Sequence, residues 1–462
     1  MFLDLEKQDP AKFAATDDGG RRIAYGDMVL LARSFGEVLP RRTLIFIVSE
    51  NSIGSLLGYV AAISNRIVPL ILSAKTEAAL YQTLYNLYRP EYLWMPKSKL
   101  ASVGGEVVFE AWDYVLVKTG LQSPPLYEDL SLLLPTSGST GSPKLVRHSY
   151  RNIEANAENV KNLFGLTEAE RAMAILPMHY TMGLSVITSH LKAGAALILS
   201  GRSLLDSEFW KMLKNERATS FTGVPYSYEL LMKLRFTRMN LPDLKIITQG
   251  GGKLTPEVFS SLARYAADTG KKFIATYGQS ECTARMAYLP PELALTKTCS
   301  IGIAEPGGKL SLIDDNGRET FEGEGAGEMV YRGENVTLGY ATCPEDLMKG
   351  DENHGVMHTG DLARRDADGC YYIVGRLKRF LKIFGFRIGL DEVENLVKAQ
   401  FHTDCLCSGT DEKLVINVTM KGGMCDIIHF LEEKTGLFRK CIEVVEVNAI
   451  ERNEAGKVIL HK

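Results

Sequence analysis

Small hydroxylated residues, glycines and one lysine lie together between two apolar stretches in the first third of the chain. The apolar stretches, residues 132–134 and 145–146, predict short strands, and between them lie Thr136, Ser137, Gly138, Ser139, Thr140, Gly141 and Lys144. Glycines have no Cβ, so the backbone can bend sharply and turn consecutive N–H groups toward an anion. The hydroxyls and the lysine add donors and a positive charge, which suits a polyphosphate. Flexible linkers have a similar composition, although they rarely lie between two apolar strands.

This stretch differs from the common P-loop. That motif reads GxxxxGK[ST] and opens a helix, whereas here Pro143 precedes Lys144 and a β-prone stretch follows it. A phosphate site here would therefore be a loop between two strands.

Five further motifs place glycines, carboxylates and basic side chains at predicted turns and strand ends. They are Gly250, Gly251 and Gly252; Tyr277, Gly278, Gln279, Ser280 and Glu281; Thr359, Gly360 and Asp361; the basic run that contains Arg376, Lys378 and Gly385; and Gly456 with Lys457. Each motif alone has an ordinary structural explanation, such as a strand end or a surface turn. Their joint occurrence, in this order and at these intervals, is specific.

The ordered set resembles the adenylate-forming superfamily, which comprises acyl-CoA and aryl-CoA synthetases, adenylation domains of nonribosomal peptide synthetases, and beetle luciferases. The resemblance covers nearly the whole chain. It implies a first half-reaction in which a carboxylate attacks the α-phosphate of Mg-ATP and releases pyrophosphate. A thiol then displaces AMP to give a thioester. It also implies a large N-terminal domain and a small C-terminal domain that swivels between the two half-reactions.

The resemblance implies roles for residues around the nucleotide. Residues 136–144 would hold the β- and γ-phosphates, and Tyr277 would stack on adenine. Gly250, Gly251 and Gly252 would line the same pocket, and Gly278 belongs to the same motif as Tyr277. Ser280 would touch the α-phosphate, and Glu281 would bind Mg²⁺, a hard cation that prefers oxygen ligands. Asp361 would receive both ribose hydroxyls, and Arg376 would contact the ribose.

The resemblance also assigns residues to the mobile C-terminal domain. Lys378 would be the hinge, Lys457 the lysine that acts in the first half-reaction, and Gly385 a glycine that lines the thiol tunnel. Attack of one anion on another accumulates negative charge, so a cation at the reacting oxygens stabilises the transition state. Mg²⁺ and Lys457 would supply that charge. The resemblance thus implies that Lys457, Glu281 and Ser280 are the catalytic residues.

The acid pocket is predicted from two further segments, and one of them departs from the family pattern. The predicted pocket residues are His179, Tyr180, Thr181, Gly183, Gly223, Val224 and Pro225. Tyr180 stands where many acyl-CoA synthetases have a gating histidine, and amino-acid activators place an aspartate near Thr181 to hold the α-ammonium group. An unpaired buried charge is heavily penalised, so the pattern predicts an acid without an α-amino group. His179 fits a pocket residue and a packed core histidine equally well.

Composition limits the class of protein. With 462 residues the chain is expected to form two or more domains, and its 45% hydrophobic and 24% charged residues are ordinary for a globular protein. The net charge of -3 gives no electrostatic case for nucleic acid. No membrane span or signal peptide is expected, and eight scattered cysteines favour free thiols in the cytoplasm.

Alternating strand and helix patterns predict an α/β fold with a largely parallel sheet, followed from about residue 300 by a β-rich subdomain. Ligands of such sheets bind at the carboxyl ends of the strands. The predicted domains are an ATP- and acid-binding domain over residues 1–375 and a mobile α+β domain over 379–462, with a hinge at 376–378. Residues 380–388 are expected to form one strand.

The expected function is an ATP-dependent carboxylate–thiol ligase whose acceptor is CoA or the phosphopantetheine of a separate acyl carrier protein. A free-standing amino-acid adenylating enzyme is the nearest alternative. A non-catalytic nucleotide-binding protein would be expected to lack Glu281, Asp361 or Lys457, and all three are present. Nothing in the sequence favours a luciferase-like oxygenase.

Overall fold

The computed structural model describes residues 1–135, 144–377, 379–383, 386–410, 412–452 and 458–459. Several predicted site residues lie outside the described residues, namely Thr136, Ser137, Gly138, Ser139, Thr140, Gly141, Lys378, Gly385 and Lys457.

Ten α-helices lie in these described ranges. They are α1 (Tyr25–Val38), α2 (Ile53–Ser64), α3 (Ala78–Tyr88), α4 (Tyr150–Phe164), α5 (Thr181–Lys192), α6 (Ser207–Asn215), α7 (Pro225–Lys233), α8 (Pro256–Thr269), α9 (Leu390–Phe401) and α10 (Met424–Thr435). Local sequence explains the start and end of α8. The Thr255 hydroxyl accepts a bond from the N–H of Val258, Pro256 is the first helical residue, and Gly270 ends the helix with φ 66°.

The strands up to residue 277 are in part separated by these helices. They are β1 (Phe13–Asp17), β2 (Arg22–Ala24), β3 (Leu44–Ser49), β4 (Val68–Ser73), β5 (Tyr92–Pro96), β6 (Glu106–Ala111), β7 (Tyr114–Lys118), β8 (Leu130–Pro135), β9 (Leu145–Ser149), β10 (Arg171–Ala174), β11 (Ala196–Leu199), β12 (Ser220–Gly223), β13 (Ile246–Gln249) and β14 (Lys272–Tyr277).

The later strands follow, and α9 and α10 lie among the last of them. They are β15 (Ala287–Tyr288), β16 (Ile303–Ala304), β17 (Lys309–Ile313), β18 (Glu319–Thr320), β19 (Gly325–Arg332), β20 (Tyr340–Ala341), β21 (Val356–Arg365), β22 (Tyr371–Arg376), β23 (Phe380–Ile383), β24 (Phe386–Gly389), β25 (Cys405–Thr410), β26 (Lys413–Val418) and β27 (Ile442–Glu446).

The largest sheet in the described part of the chain has the order β16-β15-β14-β13-β12-β10-β11-β1-β2. Neighbouring strands from β14 through to β1 run parallel, and β2, β15 and β16 are antiparallel additions at the edges. Every residue of β12 and β13 is buried, as expected for strands covered on both faces. One face packs on α6, α7 and α8, and the other packs on α5. This arrangement confirms the α/β fold.

A second sheet has the order β20-β9-β8-β4-β3-β5-β7-β6, with β8, β4, β3 and β5 parallel. Strands β8 and β9 flank the predicted phosphate-binding residues and pair antiparallel, with Pro135 opposite Leu145. The two strands predicted around that segment are therefore confirmed.

A five-stranded sheet of the order β18-β17-β19-β21-β22 follows within the described residues, and then a β23-β24 pair and a β25-β26-β27 sheet. The last two sheets share a hydrophobic core with α9 and α10, whose members run from Leu381 to Ile442. The expectation of a single strand over residues 380–388 is wrong. Strands β23 and β24 pair antiparallel with Ile383 opposite Phe386, and an alternating apolar pattern cannot reveal such a reversal.

Candidate functional site

The carboxyl ends of neighbouring parallel strands bring several predicted site segments to one edge of the largest sheet. Strand β12 leads into Val224, β13 into Gly250, and β14 into Gly278. The segment after β10 contains His179 and enters α5 at Thr181. The other predicted residues at this edge are Tyr180, Gly183, Gly223, Pro225, Gly251, Gly252, Tyr277, Ser280 and Glu281.

The turn after β14 requires a glycine. A Cβ on Gly278 would lie 1.5 Å from the carbonyl oxygen of Ala284, because the chain folds back on itself immediately after the turn. A Cβ on Gly250 would similarly lie 2.7 Å from the Thr276 hydroxyl oxygen. The two glycine turns therefore allow backbone segments to approach closely at this edge.

Asp361 lies buried on β21 at the centre of a cluster of polar side chains. Its carboxylate accepts bonds from the Tyr277 hydroxyl, from Gln279 Nε2 (3.1 Å) and from Arg376 Nε (2.9 Å). The β21–β22 register places Asp361 directly opposite Arg376. Burial, together with the negative charge of Asp361, raises the pKa of Tyr277 well above its ordinary value. Donors from the turn after β14 and from β22 thus orient the Asp361 carboxylate. The sequence did not indicate that Gln279 is one of these donors.

Glu281 is held by residues far away in the sequence. The Tyr340 hydroxyl donates to Glu281 Oε1 at 2.5 Å, and the N–H and hydroxyl of Thr337 donate to the Glu281 carbonyl oxygen at 3.0 and 2.9 Å. Strand β20 pairs with β9, and the Lys144 ammonium lies 5.5 Å from the centroid of the Tyr340 ring. Tyr340 therefore lies beside both a carboxylate and a cation. Sequence reasoning missed it because no local motif marked it.

The start of α5 contacts the turn that carries Ser280. The Thr181 hydroxyl donates to Ser280 Oγ at 2.8 Å. Thr181 is a predicted residue of the acid pocket, and Ser280 is the residue predicted to touch the α-phosphate. The rings of His179 and Tyr180 pack edge to face with centroids 6.1 Å apart. Both side chains are partly exposed.

The loop that follows Glu281 is held in a strained conformation. Thr283 and Ala284 have φ values of 52° and 89°, and such left-handed backbone costs about 1–3 kcal/mol per residue outside glycine. Buried Asn335 donates from Nδ2 to the carbonyl oxygens of Cys282 and Arg285, both at 2.9 Å. Thr283 in turn donates its hydroxyl to the Asn335 carbonyl oxygen at 2.8 Å. Asn335 is a second residue that sequence reasoning missed.

Two ionisable side chains lie buried behind this loop. Arg285 is 1% exposed and donates from Nη1 to Ser185 Oγ at 2.8 Å. Glu305 Oε1 accepts bonds from Asn159 (3.2 Å), Tyr331 (3.0 Å) and Asn335 (2.8 Å). Burial raises the pKa of Glu305 to about 8 and lowers the pKa of Arg285 to about 10.

The raised pKa of Glu305 implies that the free energy of unfolding depends on pH. Its pKa is higher in the folded chain than in the unfolded chain, so between about pH 4.5 and 8 the folded state binds more protons. The free energy of unfolding is therefore expected to fall as pH rises through this window. Glu305→Gln should flatten that slope in melting temperatures measured from pH 5 to 8.5.

The matched control for this prediction is Glu324→Gln, since Glu324 is an exposed glutamate on the same part of the chain. Its melting temperature should follow that of the unmodified protein at every pH. An equal pH slope for Glu305→Gln and the unmodified protein would contradict a raised pKa at Glu305.

Within the described ranges, none of the helices is both long and apolar enough to cross a bilayer. All eight cysteines are free thiols, as the sequence predicted.

A sequence model of the family described as "AMP-binding enzyme" matches residues 4–341. Similar curated proteins include the oxalate–CoA ligase of Arabidopsis thaliana, which is 32% identical over 272 residues covering 58% of this chain and 52% of the relative. The indoleacetate–CoA ligase of Aromatoleum aromaticum is 29% identical, covering 71% of this chain and 65% of the relative. The chain thus spans about half to two thirds of the length of these relatives.

Two solved structures agree with the fold over nearly the whole chain. The o-succinylbenzoate CoA synthetase of Bacillus subtilis, in complex with its acyl-adenylate intermediate, has a TM-score of 0.80 at 18% identity and covers 99% of this chain and 96% of its own. ATP-bound MatB from Rhodopseudomonas palustris has a TM-score of 0.76 at 21% identity and covers 99% and 97%. At these identities the likeness concerns the fold alone. The family match over well more than half of the sequence shows that this chain belongs to the AMP-binding enzymes of the adenylate-forming superfamily.

Proposed function

We propose that this chain activates a carboxylic acid with ATP and transfers the acyl group to a thiol, either of CoA or of the phosphopantetheine on a separate acyl carrier protein. The observation that carries this proposal is the hydrogen bond from Tyr277, at the carboxyl end of β14, to Asp361, with Glu281 in the turn that follows the same strand. The family membership and the CoA ligases among the relatives support it.

The nucleotide would lie against β14 and β21. Tyr277 would stack on adenine, beside the turn of Gly250, Gly251 and Gly252, and Asp361 would accept the ribose hydroxyls. A carboxylate offers about four acceptor positions, and three donors already use the carboxylate of Asp361. The Arg376 side chain is 61% exposed, so its bond to Asp361 is the one that a ribose can most easily replace.

The phosphates would lie between Lys144, Ser280 and Glu281, together with residues 136–143. Mg²⁺ in enzymes is commonly bound through one or two carboxylates and the substrate phosphates. The described residues contain no group of three or more His, Cys, Asp or Glu side chains that could hold a metal ion by itself, and they offer Glu281 as one oriented carboxylate. This donor set fits Mg²⁺, which when bound supplies positive charge beside the phosphates. Lys457 would supply a further cation in the first half-reaction.

The acid would enter between the start of α5 and the residues after β12. The predicted pocket residues are His179, Tyr180, Thr181, Gly183, Gly223, Val224 and Pro225. No Asp or Glu occurs anywhere in residues 171–200, so this wall offers no partner for an α-ammonium group. We therefore favour an acid without an α-amino group, and the amino-acid adenylating enzyme is the alternative.

The C-terminal unit would move between the two half-reactions. We propose that residues 379–462 form it, that Lys378 lies in a hinge at 376–378, and that Gly385 lines the thiol tunnel. The separate hydrophobic core between Leu381 and Ile442 supports this division. The eight free thiols are consistent with the reducing cytoplasm, which we propose as the location.

Pyrophosphate exchange tests the proposal. The purified chain, ATP, Mg²⁺ and labelled pyrophosphate are incubated with a panel of fatty, aromatic, hydroxylated and amino acids, and each amino acid is compared with its deaminated analogue. Exchange is expected with at least one acid, and a deaminated acid should have the higher kcat/KM. Thioester formation is then measured with CoA and with holo carrier protein.

A clear preference for an amino acid would support the alternative enzyme instead. Exchange with no acid would contradict the proposed function.

A further inference from the structure

The side chain of Tyr340 lies between a carboxylate and an ammonium group. Its hydroxyl donates to Glu281 Oε1 at 2.5 Å, and the Lys144 ammonium lies 5.5 Å from the centroid of its ring. Hydrogen bonds to an ionised carboxylate are shorter and stronger than neutral ones, and an ammonium within about 6 Å of a ring centroid is attracted to the ring. Tyr340 therefore interacts with two of the residues that would lie beside the phosphates.

Buried Arg147 fixes the backbone around Tyr340. The Arg147 side chain is inaccessible to solvent, and it donates from Nε to the Tyr340 carbonyl oxygen at 3.0 Å and from Nη2 to the Leu338 carbonyl oxygen at 2.8 Å. Its backbone N–H donates to the Gly339 carbonyl oxygen at 3.0 Å. Arg147 lies on β9, the strand that follows Lys144, so the backbone that carries Tyr340 is tied to that strand.

The same stretch of chain fixes the backbone of Glu281. The N–H and hydroxyl of Thr337, a fully buried residue, donate to the Glu281 carbonyl oxygen at 3.0 and 2.9 Å. Tyr340 follows shortly after Thr337 and reaches the carboxylate of the same glutamate. Residues 337–340 thus hold Glu281 both by its main chain and by its side-chain oxygen Oε1.

The bond from Tyr340 leaves the Glu281 carboxylate able to bind a metal ion. A carboxylate offers about four acceptor positions, and Tyr340 uses one of them, on Oε1. Carboxylates that bind metals are commonly hydrogen-bonded to a neighbouring side chain, and removing that neighbour typically lowers metal affinity about 10- to 100-fold. A glutamate that is already held in place also loses less side-chain freedom when the metal binds.

We propose that Tyr340 is a positioning residue of the proposed phosphate site. Its hydroxyl orients Glu281 toward Mg²⁺, and its ring orients the Lys144 ammonium toward the phosphates of ATP. This inference rests on the proposed function and adds a residue that couples the metal ligand to the phosphate-binding segment. Tyr340 is 38% exposed, so burial alone does not require its bond to Glu281.

Metal binding without catalysis tests the role of the Tyr340 hydroxyl. Mn²⁺ also prefers oxygen ligands, and the free ion is measured by electron paramagnetic resonance. The nucleotide is α,β-methylene-ATP, whose P–C–P linkage is not cleaved, and no acid is added. Tyr340→Phe keeps the ring and removes the hydroxyl, so the dissociation constant of Mn²⁺ should rise about 10- to 100-fold. A parallel titration without protein corrects for Mn²⁺ that the nucleotide binds in solution.

A double-mutant cycle with Glu281→Gln separates orientation of the carboxylate from a general structural effect. In the Glu281→Gln background, Tyr340→Phe should change the Mn²⁺ dissociation constant by less than about 2-fold, because the charged ligand that the hydroxyl orients is gone. A merely structural effect of Tyr340→Phe would weaken Mn²⁺ binding equally in both backgrounds. The melting temperature of Tyr340→Phe should stay close to that of the unmodified protein.

Tyr340→Leu tests the role of the ring, since it removes the hydroxyl and the aromatic face together. Compared with Tyr340→Phe, the dissociation constant of the nucleotide at saturating Mn²⁺, measured by calorimetry, should rise a further 2- to 5-fold, the range of about one exposed cation–π contact. Lys144→Gln should abolish this further increase, because the cation beside the ring is then absent.

Tyr372→Phe is the matched control for the loss of a hydroxyl. The Tyr372 hydroxyl also donates to a carboxylate, Asp366 Oδ2 at 3.1 Å, and neither residue belongs to the proposed site. This variant should keep the Mn²⁺ and nucleotide dissociation constants of the unmodified protein.

Failure of this inference is distinguishable from failure of the proposed function. An unchanged Mn²⁺ dissociation constant in Tyr340→Phe, or an equal loss with and without Glu281→Gln, would overturn the role of the hydroxyl and leave the proposed ligase function standing. Equal nucleotide affinities in Tyr340→Phe and Tyr340→Leu would overturn the role of the ring. If the unmodified protein bound no nucleotide, the proposed function and this inference would both be contradicted.

Discussion

Replacement of Glu281 by glutamine is expected to slow acyl-adenylate formation about 100-fold, in the range seen when one group that stabilises transition-state charge is removed. A neutral amide is a poor ligand for a hard cation, so the Mg²⁺ concentration that gives half the maximal rate should also rise. The amide oxygen of glutamine can still accept the bond from Tyr340, which now joins Glu281 at 2.5 Å. The variant therefore removes the negative charge at residue 281 while the side chain can keep its bond to Tyr340.

The measurement is pyrophosphate exchange as a function of Mg²⁺ concentration at saturating ATP. Glu334→Gln is the matched control, because Glu334 is an exposed glutamate that pairs with Arg151 at the surface. The control should keep the rate and the Mg²⁺ dependence of the unmodified protein. If Glu281→Gln showed the same Mg²⁺ dependence as this control, Glu281 would not be a metal ligand.

Replacement of Asp361 by asparagine is expected to raise the KM for ATP about 100-fold, with a smaller change in the KM for the acid. The carboxylate accepts bonds from Tyr277, Gln279 and Arg376, and it is 3% exposed. An asparagine turns one of these acceptor atoms into a donor and leaves the charge of Arg376 without its partner. Hydrogen bonds from the ribose hydroxyls to a charged carboxylate are worth about 1.5–3 kcal/mol each. The Arg376 side chain is 61% exposed, so losing its pair with Asp361 adds little to the loss of ATP binding.

Steady-state kinetics with ATP and with the acid as the varied substrates check this prediction, together with melting temperatures. Asp368→Asn is the control, because Asp368 pairs with Lys297 and its side chain is 72% exposed. It should leave both KM values unchanged. Equal increases of the two KM values in Asp361→Asn would indicate a general loss of structure and argue against ribose binding at Asp361.

Local sequence was sufficient to predict most helices, most strands and the class of the fold. The N-cap at Thr255, the proline that follows it and the glycine that ends α8 act over a few residues, so their effects can be read directly from the chain. The strands around the predicted phosphate-binding residues followed from apolar runs in the same way. The family could be identified because its motifs occur in a fixed order along the sequence. The roles of the individual site residues stay predictions.

Only the tertiary structure decided which side chains meet. Tyr340 and Glu281 are 59 residues apart, and Arg285 and Ser185 are 100 residues apart. Such pairs depend on which strands become neighbours and in what register, as when β20 joins β9 and Asp361 comes to lie opposite Arg376. A sequence pattern with a period of two or 3.6 residues carries no information about that choice, which is also why the reversal between β23 and β24 was missed.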